Sequence, residues 1–325
     1  MYKSKLNLME TEIAIKYIKD EFERRLARKL NLVRVSAPLI VSKESGINDY
    51  LNGFEQPVAF LYQGADIEIV QSLAKWKRMA LKRYGFRKGQ GLYTDMNAIR
   101  KDEIVDCHHS LYVDQWDWEK IIGVENRTKE YLFKVVNNIF DVLRVMEKNS
   151  RRLFPSLDKK LPKNLFIIDS QELENRYPDM TSREREFQIV KQHKAVFIHR
   201  IGGKLSSGKI HDGRSPDYDD WELNGDILLF DQINGAALEI CSMGIRVDAV
   251  SLLEQLAERN ALDRLVYPYH QAIIEKALPL TIGGGIGQSR ICQFFLEKKH
   301  IGEVQASYWP DEMAEALEKE NVKLL

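Results

Sequence analysis

Apolar side chains at Ile13, Tyr17 or Ile18, Phe22, Leu26 and Leu30 recur at helical spacing and predict an amphipathic helix over residues 8–30. Asn7 and Glu10 stand three apart before it, the spacing of a capping box. Residues 32–41 read as a strand interrupted by Pro38, which predicts an edge or interface position because proline has no N–H for a ladder. Further strands are predicted over 68–70, 92–99, 111–116, 165–168 and 195–198, with helices over 72–82, 126–154 and 181–194. A proline-punctuated connection runs over 155–162. Residues 227–230 and 236–240 form a predicted antiparallel pair across an Asn234-Gly235 turn. Helices over 249–260 and 270–275, and one at Arg290, complete the pattern. The chain has no repeat and no strong linker. Strands drawn from distant segments, with few regular βαβ units, predict an α+β fold on an antiparallel sheet, built as a single domain over residues 1–325.

Apolar content of 44% and charged content of 30% describe an ordinary globular protein. Lys plus Arg and Asp plus Glu both number 48, and this zero balance counts against a tRNA or DNA partner, whose phosphates draw a basic excess. The three cysteines, Cys107, Cys241 and Cys292, are scattered without a C-x-x-C pair, so neither a zinc ribbon nor a disulfide framework is indicated. No apolar run approaches ~18 residues and the N-terminus lacks a signal-like apolar region, which predicts a cytoplasmic protein without a membrane segment.

The chemistry concentrates in two segments. Thr281 to Arg290 reads Thr-Ile-Gly-Gly-Gly-Ile-Gly-Gln-Ser-Arg, with four glycines in five positions before an apolar helix. Glycine lets the backbone approach a ligand closely and take dihedrals closed to other residues, so this run is expected to do both. Arg290 arrives where strand becomes helix, positioned to lay a flat cation on a base or phosphate. Neither frame of the glycines completes G-x-G-x-x-G. The second segment, residues 92–119, is a strand, a charged loop and a strand carrying Asp114, Gln115, Asp117 and Glu119. Such a hairpin can aim Arg100 at a triphosphate and offer carboxylates to an ammonium group. Gly203 to Ile210 nearly spells a P-loop, but Ile210 replaces the hydroxyl that would hold magnesium. The loop with His211, Asp212, Asp217, Asp219 and Asp220 lacks transition-metal ligand spacing.

The glycine run followed by Ile-Gly-Gln-Ser-Arg resembles motif 3 of the class II aminoacyl-tRNA synthetases. The first helix with its Pro38 strand resembles motif 1, a dimer-interface element in that family. Arg100 with Glu103 resembles motif 2, although synthetases show Arg-x-Glu where this chain has Arg-x-x-Glu. That departure points to a relative. Ser72-Leu-Ala-Lys-Trp-Lys-Arg78, Tyr112-Val-Asp-Gln-Trp-Asp-Trp-Glu119, Pro216-Asp-Tyr-Asp-Asp-Trp221, Leu223-Asn-Gly-Asp226 and Ser242-Met-Gly-Ile-Arg246 closely resemble the ammonia-dependent asparagine synthetases, or aspartate–ammonia ligases. The resemblance covers nearly the whole chain, to Trp309-Pro310. It implies a homodimer with a synthetase-like sheet that converts aspartate, ATP and ammonia to asparagine, AMP and pyrophosphate through a β-aspartyl adenylate.

On that resemblance Arg100 would hold the α-phosphate, and Arg290 would stack on adenine or contact the γ-phosphate. Asp226 and Glu239 would supply hard oxygens to Mg2+, while Glu103 and Gly285 complete the ATP set. Lys77, Ser72 and Arg246, with Ser242 beside them, suit the α-carboxylate of aspartate. Asp49, Gln115, Asp117 and Asp219 suit its ammonium group and the incoming ammonia. The catalytic set implied is Arg100, Asp49, Asp117, Asp219 and Arg290. A glutamine-dependent enzyme would need a thiol nucleophile paired with a base, and none of the cysteines sits in such a motif.

Overall fold

The computed structural model describes residues 2–51 and 55–325. Its first element, α1 (Leu8–Leu30), carries the expected capping box: Glu10 N donates to Asn7 Oδ1 and Asn7 N to Glu10 Oε2, both at 2.9 Å. The buried face runs through Ile15, Ile18, Phe22, Leu26 and Leu30, whereas Ile13, counted in the apolar stripe, points outward. This face packs on the long helix α3 (Lys129–Leu153) and on the sheet, where the Phe22 ring stacks on Trp116 at 4.6 Å.

The strand expected over 32–41 is two strands. β1 (Leu32–Arg34) and β2 (Ile40–Ser42) lie on either side of Pro38 and join different sheets. The first ladder ends with Val35 N donating to Tyr93 O at 2.9 Å, before the proline is reached, and each piece sits at a sheet edge. β2 pairs with β4 (Ala65–Ile69), which pairs with β3 (Ala59–Tyr62), a strand the polar-apolar pattern missed because all four residues are exposed.

The large sheet adds β5 (Gly91–Ile99), β6 (Tyr112–Ile121), β7 (Phe166–Asp169), β8 (Ala195–His199), β9 (Asp219–Asp231), β10 (Ala236–Arg246) and β11 (Thr281–Gly287). Its strand order is β1-β5-β6-β11-β10-β9-β8-β7. The expected antiparallel pairing holds across the centre, while the outermost pairs, β1 with β5 and β7 with β8, are parallel. The predicted hairpin of β9 and β10 forms with Gly235 at φ 61°, and both strands run well beyond the segments expected. Their extra length carries polar residues on one face, so apolar runs marked only the halves embedded in the core.

Alternation divides the central strands. Trp116, Trp118, Ile227, Met243, Ile245, Ile282 and Ile286 face the core, with α1, α3 and α8 (Gln288–Leu296) packed over them. The opposite face presents Gln115, Asp117, Ser242, Arg246 and Gly285 to a cleft that α2 (Ala74–Arg83) flanks. Helices α4 (Ser170–Arg176), α5 (Ser182–His193), α6 (Ala249–Glu258), α7 (Pro268–Ile274) and α9 (Asp311–Lys319) complete the fold. α4 is too short to leave an apolar stripe in the sequence. Among the described residues no helix is long and apolar enough to cross a membrane.

Candidate active site

The glycine run occupies β11, sandwiched between β6 and β10. None of Gly283, Gly284, Gly285 and Gly287 has a positive φ, so the expected special dihedrals are absent; these residues are ordinary extended strand. They are glycines for space. A Cβ on Gly283 would lie 1.9 Å from Glu119 Oε2, and one on Gly285 would lie 2.1 Å from Gln115 Oε1. On the core side, a Cβ on Gly284 would meet Met243 Cβ at 2.6 Å. Side chains of β6 therefore lie across β11, and the bare strand forms part of the floor of a polar cleft of about 350 Å³.

Across that floor reaches Arg246. Its Nε lies 3.1 Å from both oxygens of Glu119, Nη2 donates to Glu119 Oε2 at 2.8 Å, and Nη1 donates to Asp219 Oδ1. Burial would raise the Glu119 carboxyl, but Arg246, Lys77 and the Thr281 hydroxyl outweigh it and hold its pKa below the usual range. Lys77 sits beside this group, donating to Asp117 Oδ2 at 2.9 Å and Gly284 O at 3.0 Å. Ser72 lines the same end, where its hydroxyl accepts from Ala74 N at 3.2 Å. Lys77, Asp117, Asp219, Arg246, Ser72, Ser242 and Gln115 all line this cleft.

At the other end, Asp226 and Glu239 lie on the paired strands β9 and β10. Burial pushes the Asp226 carboxyl up to about 7, and repulsion from Glu239 and Asp212 adds to the rise against the pull of Arg214. Arg290, at the start of α8, donates from Nη1 to Glu239 O at 2.9 Å and stays partly exposed. Arg100 enters from β5; among the described residues its hydrogen bonding is one long contact to Gln71 O at 3.5 Å, and its buried Nε has no partner. Glu103 lies in the turn that follows, its N donating to Arg100 O.

Asp49 is placed differently from the rest. It is 1% exposed, behind the cleft wall, with Ser215 Oγ 3.4 Å from Oδ1 and, among the described residues, no partner for Oδ2. Burial pushes its carboxyl up to about 6 despite Lys75 nearby. Next to it Asp217 collects Ser215 Oγ at 2.7 Å, Arg264 Nη1 at 3.0 Å, His270 Nε2 at 3.1 Å and Lys75 Nζ at 3.3 Å. Burial works against this charge, yet Lys75, His270 and Arg264 hold it well below the usual carboxylate range. His211 of the same loop points away, 3.0 Å from Glu186. The P-loop-like string is a tight turn, Leu205 N donating to Lys209 O at 2.7 Å.

A sequence profile of the aspartate-ammonia ligase family matches residues 9–321. The chain belongs to that family. It is 58% identical over 325 residues to an aspartate–ammonia ligase of Fusobacterium nucleatum subsp. nucleatum, covering 100% of this chain and 99% of that protein. It is 55% identical over 327 residues to the one of Clostridium tetani, covering 100% of this chain and 96% of that protein. In fold it is similar to asparaginyl-tRNA synthetase from Pyrococcus horikoshii complexed with asparaginyl-adenylate, at a TM-score of 0.67 and 14% identity over 92% of this chain and 70% of that one. An aspartyl-tRNA synthetase from Entamoeba histolytica matches at a TM-score of 0.62 and 16% identity, over 91% of this chain and 58% of that one. The class II synthetase architecture expected from the motifs is therefore the fold of this aspartate–ammonia ligase family member.

Two charged residues of the cleft and its wall, Arg214 and Asp217, had no role in the sequence reading, and Glu119 figured there only among the hairpin carboxylates that an ammonium group could meet, not as the partner of Arg246. Glu119 and Asp217 lie inside recognised strings, but nothing in spacing says that a strand-crossing arginine will meet the one or that Lys75, Arg264 and His270 will surround the other. Arg214 comes from a loop and is brought to the cleft only by tertiary folding.

His108 anchors the loop after Arg100. Its Nε2 lies 2.8 Å from Asp231 at the end of β9, and burial, which disfavours the charge, is outweighed by Asp231 and Cys107, so its pKa is pushed up to about 9. An unfolded histidine titrates near ~6.5, so this contact contributes fully below that pH and is lost as pH rises through the folded value. His108→Gln should therefore be less stable than wild type by on the order of 1–3 kcal/mol near pH ~6, with the gap closing above pH ~9.5. Urea unfolding of both proteins at the two pH values measures this, and a gap of the same size at both would rule out the charged contact.

Proposed function

We propose that this chain joins ammonia to the β-carboxylate of aspartate, with cleavage of ATP to AMP and pyrophosphate. The observation that carries the reading is a full-length match to aspartate–ammonia ligases on a chain whose cleft holds both signs of charge at one end and paired carboxylates at the other. The amino-acid end suits a substrate with two carboxylates and an ammonium: Lys77, Ser72, Ser242 and Arg246 for the anionic group, Gln115, Asp117 and Asp219 for the cationic one. Arg100, lacking a carboxylate partner among the described residues, suits the α-phosphate. Its charge would then act where negative charge builds as a β-carboxylate oxygen bonds to Pα and pyrophosphate leaves.

The reacting carbonyl is next attacked by ammonia, the C–N bond forms, AMP departs with the shared oxygen, and a proton is given up. Asp49, whose carboxyl is pushed up to about 6 and whose Oδ2 has no partner among the described residues, stands behind the lining, so it would take that proton through the Ser215 hydroxyl, which lines the cleft 3.4 Å from its Oδ1. Asp226 and Glu239 fit a Mg2+ carried in on ATP, because Mg2+ is held by one or two carboxylates plus phosphate oxygens, and the two crowd each other here. Bound there, the ion would withdraw charge from the phosphates. Glu103, Gly285 and Arg290 would line the remaining nucleotide contacts. We read residues 1–325 as one catalytic domain of a cytoplasmic biosynthetic enzyme.

A homodimer completes the proposal. Leu39, Ile40, Phe60, Leu61 and Tyr62, on the small sheet and the Pro38 segment leading into it, are all exposed, Leu61 at 73%. Such a concentration of apolar surface suits a second copy of the chain. Sedimentation equilibrium should give twice the chain mass of 37.8 kDa, and a concentration-independent monomer would exclude it.

With aspartate and Mg-ATP, ammonium should yield asparagine and AMP, and glutamine should not replace ammonium. Chromatography of the products decides this; ADP with phosphate would overturn the adenylate route. Arg290→Lys should cost on the order of 2–4 kcal/mol in transition-state stabilisation, seen mainly in ATP use, because lysine cannot stack or contact a phosphate bidentately. Were Arg290 only the cap on Glu239 O that it also makes, steady-state rates of the folded variant would match wild type.

A further inference from the structure

The cleft's two ends are connected by one side chain. Arg214, on the loop before β9, is 8% exposed and lines the cleft. Its Nη2 donates to Asp226 Oδ1 at 2.6 Å, at the nucleotide end. Its Nη1 donates to the Ser242 hydroxyl, and its Nε lies 3.6 Å from Asp219 Oδ2 without a hydrogen-bond partner, at the amino-acid end. Asp219 shares the Arg246 guanidinium with Glu119, receiving Nη1 on its other oxygen, so it does not rely on Arg214 alone for its charge balance. Asp226 does: it is buried next to Glu239 and Asp212, and Arg214 is the cation that pairs with it among the described residues.

We propose that Arg214 is the exchangeable counter-ion of this active site. In the ligand-free protein it neutralises Asp226, a carboxylate assigned above to the metal, and so weakens cation binding there before nucleotide arrives. When a divalent cation takes Asp226, Nη2 loses that oxygen as a partner, and the planar fork, still tethered near Ser242 and Asp219, turns its donors to the reacting carboxylate of the bound amino acid. Arg214 is then a substrate-contacting residue whose engagement follows metal–nucleotide binding, which orders the two half-sites. The inference rests on the aspartate–ammonia ligase reading and extends it to a residue which that reading leaves without a role.

Two measurements on one variant test it. Mn2+ binding to the nucleotide-free protein, followed by electron paramagnetic resonance, should tighten about tenfold in Arg214→Gln, since the competing cation is gone. Aspartate-dependent ATP–pyrophosphate exchange, run without ammonia, should fall at least a hundredfold in the same variant. Arg214→Lys keeps the charge and guards against a folding defect: its Mn2+ affinity should stay at the wild-type level while its exchange rate falls at least tenfold. Unchanged Mn2+ affinity in Arg214→Gln, or exchange at the wild-type rate in a folded Arg214→Lys, overturns the proposal. A wild-type protein without aspartate-dependent exchange would refute the functional reading instead, and the Mn2+ comparison would still decide the counter-ion role.

Discussion

A single buried guanidinium organises the working face of this sheet. Arg246, on β10, reaches over β11 to Glu119 on β6 and sideways to Asp219 at the start of β9. A buried charge is costly to desolvate, and the cost is offset only when the partners are close and their remaining lone pairs are satisfied. Here Glu119 accepts from Arg246 at both oxygens and from Thr281 Oγ1 at 2.6 Å, and Asp219 supplies the second carboxylate. Removing one member would strand a buried charge, so the group is maintained as a unit. The contact has a steric requirement too. Gly283 must carry no Cβ for Glu119 to lie where it does, and a Cβ on Gly244 would come within 2.7 Å of Asp219 Oδ1. Glycines on two strands thus exist so that an arginine can tie three others together.

That requirement changes the meaning of the glycine run. Read as sequence, four glycines before an arginine signal a turn that hugs a ligand, and the family resemblance reinforces that picture. In the fold they are extended strand, and the ligand-facing floor is bare because neighbouring side chains need the room. The chemistry inferred at Arg290 is compatible with either origin. The physical cause is different, and it lies in residues distant in the chain, Ser242, Met243, Gln115 and Glu119, which no local pattern could bring to β11.

Legibility followed the same division. Elements with a strong apolar period and local caps, such as α1 with Asn7 and Glu10, could be read to the residue, because their determinants are neighbours in the chain. β9 and β10 were found only where they are embedded in the core, since their outer halves exchange apolar for charged residues to build the cleft. Of the implied site residues, Lys77, Gln115, Asp117, Asp219, Ser242 and Arg246 all line the cleft. Asp49 does not reach the lining and stands behind it with Asp217, a placement set by Ser215 and Lys75 from separate segments. Arg214 could not have been found from spacing at all, because its partners, Ser242 and Asp226, lie on strands that follow it.

The electrostatic state of the cleft also explains how a chain with no net charge can carry such a concentration of ionic side chains. The buried ions come as shared sets, three cations to four carboxylates: Lys77 with Asp117, Arg246 with Glu119 and Asp219, and Arg214 with Asp226 and, at longer range, Asp219. A charged ligand entering such a site exchanges one set of ion pairs for another, so the desolvation of the protein's own groups is already met before binding. Affinity then comes from how much better the ligand's geometry fits than the internal partner's. This favours discrimination over raw binding strength, and it reserves full electrostatic strength for charge that appears only during reaction. Arg100 is the exception that fits this logic. Its hydrogen bonding among the described residues is the long contact to Gln71 O, which sets it apart from the ion-paired cations; on the function proposed above, it is available to charge that builds during reaction.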